Sequence, residues 1–125
     1  MFPTILIVDD EESILQSLSG LLLDEGFEVI TANNGYEALK MIDAESPDLV
    51  LLDIWMPGID GIALCERIVT FRPDVPVVVV TAFGSMETAI AALRAGAYDF
   101  LPKPFTVDAL TRKVRSVLDN SQGGD

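Results

Sequence analysis

Five short apolar runs punctuate the chain, and between them the apolar residues recur at helical spacing. Ile5-Leu6-Ile7-Val8, Leu49-Val50-Leu51-Leu52 and Val77-Val78-Val79-Val80 are unbroken and rich in β-branched side chains. A strand with one wet face alternates apolar and polar, so these three predict central strands of a parallel sheet covered on both faces. With the runs at 28–32 and 98–101 as edge strands, the prediction is strands over 4–8, 28–32, 49–52, 75–80 and 98–101, each followed by a helix. The first helix should bury Ile14, Leu18, Leu21 and Leu22 and end at a left-handed Gly26. The second opens at Asn34 with Glu37 three residues on, as in a capping box, buries Ala38, Met41 and Ile42, and stops at Pro47. The third, capped by Asp60, should present Leu64, Ile68 and Phe71 before Arg72-Pro73. The fourth, from Ser85, should present Met86, Ala89, Ile90 and Leu93 before Gly96. The fifth, from Thr106, should present Val107, Leu110, Val114 and Val117 or Leu118. Residues 120–125 are polar and Gly-containing and read as a flexible tail or the start of a linker after one domain over 1–119.

Composition narrows what such a domain can do. Eight basic against twenty acidic residues give a formal charge of -12 in 125 residues, and the chain has no histidine. That field repels nucleic acid and anionic membranes, and the absence of histidine excludes Ser-His-Asp and Cys-His catalysis and a histidine-ligated zinc. A half-apolar composition at this length supports a self-sufficient core. The lone Cys65 cannot form an internal disulfide and fits a reducing compartment, and no apolar stretch reaches membrane-spanning length, so a cytoplasmic protein is expected. Cys65, Met41 and Met86 lie in helical segments and are expected as core or rim fillers.

Candidate chemistry sits where ligands bind in open α/β sheets, beyond the carboxyl ends of the strands. After the first run come Asp9-Asp10-Glu11-Glu12, after the third Asp53, after the fourth Thr81, and two residues past the fifth Lys103-Pro104. Glu11 and Glu12 suit the start of the following helix. Asp9, Asp10 and Asp53 are expected to stand together, and three carboxylates repel unless a cation or protons intervene. A hard divalent ion answers that need, and magnesium suits because it takes one or two carboxylates, keeps waters and adds a phosphate oxygen.

The pieces Val8-Asp9-Asp10, Leu52-Asp53-Ile54-Trp55-Met56-Pro57-Gly58-Ile59-Asp60-Gly61, Val80-Thr81-Ala82 and Lys103-Pro104-Phe105 resemble the receiver domain of two-component response regulators, over nearly the whole chain. The resemblance implies a doubly wound, flavodoxin-like α/β fold with five helices and a five-stranded parallel sheet in the order 2-1-3-4-5. It implies that Asp53 accepts a phosphoryl group from a phosphohistidine of a partner sensor kinase. Asp10, Asp53 and the main-chain carbonyl of Trp55 would hold magnesium, with Asp9 bound directly or through water, while Lys103 and Thr81 would contact the phosphoryl group. Thr81 and Phe100 would form the switch that changes the helix 4, strand 5 and helix 5 surface, and the Lys103-Pro104 bond would be cis. Trp55 and Phe83, each two residues past a site residue, stand where side chains obstruct or align the water that hydrolyses the acyl phosphate, and slow self-dephosphorylation is expected.

The stretch from Thr81 to Phe105 looks most like receivers of nitrogen-regulatory-type transcription activators, which carry ATPase and DNA-binding domains. The resemblance thus implies a homodimer through the helix 4 to helix 5 face and a transcription-regulating output, with no direct nucleic-acid contact by this domain. Two other readings use the same residues. One is a magnesium-dependent aspartyl phosphatase or phosphotransferase of the haloacid dehalogenase type, which places its nucleophile after strand one and adds a cap. The other is an interaction domain that takes no phosphate.

Overall fold

In the computed structural model, which describes residues 2–54, 61–81 and 86–122, strands and helices alternate along the chain. The order is β1 (Thr4–Val8), α1 (Glu12–Asp24), β2 (Glu28–Ala32), α2 (Gly35–Glu45), β3 (Leu49–Asp53), α3 (Gly61–Phe71), β4 (Val77–Thr81), α4 (Met86–Arg94), β5 (Asp99–Pro102) and α5 (Val107–Gln122). The five strands form one sheet in the order β2-β1-β3-β4-β5, every pair parallel. The three unbroken apolar runs are its centre and the two mixed runs its edges, as their patterning requires.

Side-chain alternation sorts each central strand between two cores. Leu6, Val8, Val50, Leu52, Val77 and Val79 face α2, α3 and α4, where they meet Ile42, Leu64, Cys65 and Ile68. Ile5, Ile7, Leu49, Leu51 and Val78 face α1 and α5, where they meet Leu15, Leu22, Leu110, Val114 and Val117. Cys65 is fully buried, and burial, with the Glu66 charge adding to it, pushes its thiol up to about 11.

The helix ends follow local chemistry. Asn34 accepts the Glu37 N–H at 2.8 Å, satisfying one orphan donor of α2, and Ser46 closes that helix in the left-handed region at φ 47°. Gly26 and Gly96 carry φ of 95° and 107°, which glycine adopts without strain. Gly61 is demanded by proximity, because a Cβ there would stand 2.3 Å from Ile54 Cα.

Helix faces depart from expectation in several places. In α1 the fully buried positions are Leu15 and Leu22, while Ile14, Leu18 and Leu21 are half-buried. Phe71 is 48% exposed and Cys65 takes the core position on α3. In α4 only Ala89 and Ala92 are buried, and Met86, Ile90 and Leu93 lie on the surface, as does Val107 at the start of α5. Small side chains let α4 approach the sheet closely, and the larger stripe is turned outward. Helix α5 runs through Asn120 and Ser121 to Gln122, none of which is a strong helix breaker. The expected roles of Trp55, Asp60, Phe83 and Ser85 fall on residues outside those described.

Candidate functional site

Two carboxylates meet at the carboxyl end of the central strands because of register. Val8 pairs with Leu52, and the next step along both strands sets Asp9 beside Asp53. The Asp9 N–H donates to the Ala32 carbonyl at 3.1 Å, which keeps β1 extended up to that residue. Asp9 continues the row Ile5, Ile7 and Asp53 the row Leu49, Leu51, so both side chains belong to the α1/α5 face. Both are buried, at 2% and 7% exposure.

Burial is the main reason that the Asp9 carboxyl is pushed up to about 6 from its ordinary 3.8. The charge of Asp53 and a hydrogen bond with its carboxyl push the same way, whereas the Glu11 N–H and the Lys103 ammonium oppose them. The Glu11 N–H donates to Asp9 Oδ1 at 3.0 Å, so Asp9 also holds the entry to α1. Glu11 itself makes no side-chain cap.

Lys103 comes to the same place from β5. Its N–H donates to the Thr81 carbonyl at 2.8 Å, the Lys103-Pro104 bond is cis, and its Nζ lies 3.4 Å from Asp53 Oδ2. That distance is long for a charge-assisted hydrogen bond, so the ammonium is near the carboxylate without being tightly seated. Thr81, the last residue of β4, is 2% exposed. By alternation it shares the α4 face with Val79, and Phe100, paired with Val79, is half-buried on that side. Tyr98, two residues earlier, is 45% exposed.

Asp9, Asp53 and Lys103 are therefore brought together, with Thr81 at the neighbouring strand end. Asp10, next in the chain, lies past the strand ladder and is exposed. Among the described residues no three His, Cys, Asp or Glu side chains converge closely enough to hold a metal ion. Of the three expected carboxylates, Asp9 and Asp53 are buried and Asp10 is exposed. The donors are all oxygens, and two carboxylates fit a hard ion that otherwise takes water and phosphate. Sequence reasoning missed the tie from Asp9 to the helix start, for which an Asp two residues before a helix N–H is the available signal.

The fold and this site define a class: a doubly wound parallel α/β domain with buried carboxylates and a lysine gathered at its strand ends. The model of the response regulator receiver domain matches residues 5–115, and the chain belongs to that family. It is similar to the nitrogen assimilation regulatory protein NtrX of Azorhizobium caulinodans, 47% identical over 108 residues that make 85% of this chain and 24% of that protein. Among solved structures, NtrX from Brucella abortus in complex with ATP superposes with a TM-score of 0.92 at 44% identity, over 98% of this chain and 28% of that one. A CheY-like receiver domain protein from Methanospirillum hungatei JF-1 superposes with a TM-score of 0.93 at 34% identity, covering the whole of both chains. The chain spans about a quarter of the NtrX proteins it matches. Among the described residues no helix is long and apolar enough to cross a membrane.

Proposed function

We propose that this receiver domain is a phosphoacceptor switch in which Asp53 takes a phosphoryl group from a phosphohistidine of a sensor kinase. The observation that carries the reading is the placement of Asp53 between the buried Asp9 and the Lys103 ammonium at the carboxyl end of the sheet. An Asp53 carboxylate oxygen attacks phosphorus, the phosphorus–nitrogen bond of the donor breaks, and the imidazole leaves with the electron pair. Phosphoryl transfer asks mainly for alignment and charge stabilisation, and Lys103 is set to meet the equatorial oxygens. Asp10 and Asp53 would hold magnesium, with Asp9 bound directly or through water and the Trp55 carbonyl as a further oxygen donor. Bound there, the ion would neutralise carboxylate and phosphoryl charge.

Thr81 and Phe100, which share one face of the sheet, are the proposed relay from the phosphoryl group to the surface of α4, β5 and α5. That surface exposes Met86, Ile90, Leu93, Tyr98 and Val107, an apolar set suited to a change of partner or to a homodimer. Similarity to NtrX supports a transcription-regulating output, and the ATP-bound Brucella relative supports an ATPase among the domains controlled. The charge of -12 supports leaving DNA contact to another domain.

The test is intact mass after incubation with acetyl phosphate and magnesium. One phosphoryl group should be gained, and lost in Asp53→Asn and after chelation of the metal. A folded chain that gains none from acetyl phosphate or from a phosphorylated kinase would refute the proposal.

A further inference from the structure

Beneath the strand-end carboxylates is a cavity of about 320 Å³ whose apolar part phosphoryl transfer leaves unused. It opens between α1 and the Lys103-Pro104-Phe105 segment. Its walls are apolar, with Ile14 and Leu18 from α1, Ile7 and Leu51 from the sheet, Val80 from β4, and Phe105 closing one side. Its polar end is Asp9, Asp53 and Lys103. Sheet geometry explains why both characters meet: Ile7 leads to Asp9 and Leu51 to Asp53 along the same inward rows, so the apolar floor runs directly into the carboxylates.

The size is that of a binding site. An apolar cavity of roughly 150 Å³ takes benzene, and small-molecule pockets begin near ~300 Å³ with mostly apolar walls and a few convergent polar groups. Charge then selects the occupant. Two carboxylates against one ammonium leave the polar end net negative, Asp10 stands exposed just beyond, and the whole chain carries -12. An anionic head would enter a repulsive field and have to draw Lys103 from Asp53. A protonated amine meets carboxylate acceptors with its N–H donors while its body fills the apolar walls. We infer that this cavity binds a small organic amine, an ammonium group on a compact aromatic body of about two fused rings, seated against Asp9 and Asp53.

Such an amine and a divalent cation need the same carboxylates, so the bound amine would also oppose phosphorylation. That consequence rests on the phosphoacceptor reading, whereas binding does not.

Amide NMR titration of the full chain in chelator, with naphthylmethylamine as probe, tests the site. Neutral naphthalenemethanol and anionic naphthylacetate serve as isosteres. The amine should give saturable shifts at Ile14, Leu18, Leu51, Val80 and Phe105, bind roughly tenfold or more tighter than the alcohol, and leave the acetate weakest. Ser17 lies exposed at the rim, and Ser17→Trp should close the mouth and weaken the amine by a similar factor. Absence of saturable shifts in the unmutated chain, shifts centred on another surface, or equal binding of the three probes would overturn the inference, whatever the fate of the variant. Intact mass with acetyl phosphate and saturating amine separates the two proposals. Amine binding without any phosphorylation in amine-free samples removes the phosphoacceptor reading alone, and unchanged phosphorylation with amine bound removes the competition.

Discussion

Replacing Asp9 by Asn should stabilise the metal-free domain, although it removes a residue from the site. A carboxyl held at about 6 against its ordinary 3.8 costs the folded state on the order of 3 kcal/mol once it is ionised in both states, at about 1.4 kcal/mol per pH unit. The sign follows from proton counts. Between those two values the folded chain keeps a proton that the unfolded chain has lost, so stability falls as pH rises through the window and stays at its lowest above about 6. Asn is neutral, and its side-chain oxygen can still accept the Glu11 N–H, which Asp9 now does at 3.0 Å. Relaxation around the site takes part of the gain, leaving roughly 1–3 kcal/mol near neutral pH. In urea, with a slope of about 1–2 kcal/mol/M, the midpoint of Asp9→Asn should rise by roughly 1 M in chelator. Near pH 4 the two midpoints should converge, because Asp9 is then protonated in the folded state. Millimolar magnesium near neutral pH should also narrow the gap, since a cation that binds only the folded carboxylates stabilises the unmutated chain by mass action. Equal midpoints near neutral pH in chelator, or an advantage for Asn undiminished near pH 4, would refute the assignment of a strained, buried carboxylate.

Three structural predictions are independent of the site's chemistry. Gly61→Ala should destabilise by about 1–3 kcal/mol or more, read from urea unfolding, because its Cβ would stand 2.3 Å from Ile54 Cα and backbone cannot yield as a side chain can. Unchanged stability would mean that the helix and strand are not so close. Asn34→Ala should cost about 1 kcal/mol through loss of the cap on the Glu37 N–H, and Asn34→Asp should restore most of it. On α4, Ile90→Gln should change stability by no more than about 0.5 kcal/mol while Ala92→Leu costs about 1–3 kcal/mol, an order opposite to that expected if the large side chains formed the core face.

Strand content was readable because it is local. An unbroken β-branched run needs burial on both faces wherever it sits, so β1 and β3 start where the pattern placed them, β4 starts two residues later than expected, and the polar residue after each run marks the strand's carboxyl end. Strand order came from resemblance, since nothing in periodicity says which run pairs with which. The site was legible to the same depth. An Asp-Asp doublet after a strand shows that acids are present but not which is turned inward. The pairing of Val8 with Leu52 settles it by carrying Asp9 along the buried row and leaving Asp10 beyond the ladder.

The phase of α4 failed for a different reason. Met86, Ala89, Ile90 and Leu93 make a regular helical stripe, which reads as one core face, but of these only Ala89 is buried, together with Ala92. Yet burial depends on how closely a helix approaches its sheet, and here the positions turned to the sheet are alanines, both at 1% exposure or less. The stripe so displaced leaves Met86 61%, Ile90 43% and Leu93 42% exposed, next to the exposed Tyr98 of the β5 approach. A regular apolar stripe that folding leaves partly in water offers a surface to a partner. That makes the misread face of α4 the strongest ground for the proposed output surface: the feature by which its sequence imitates a core is the one a partner would use.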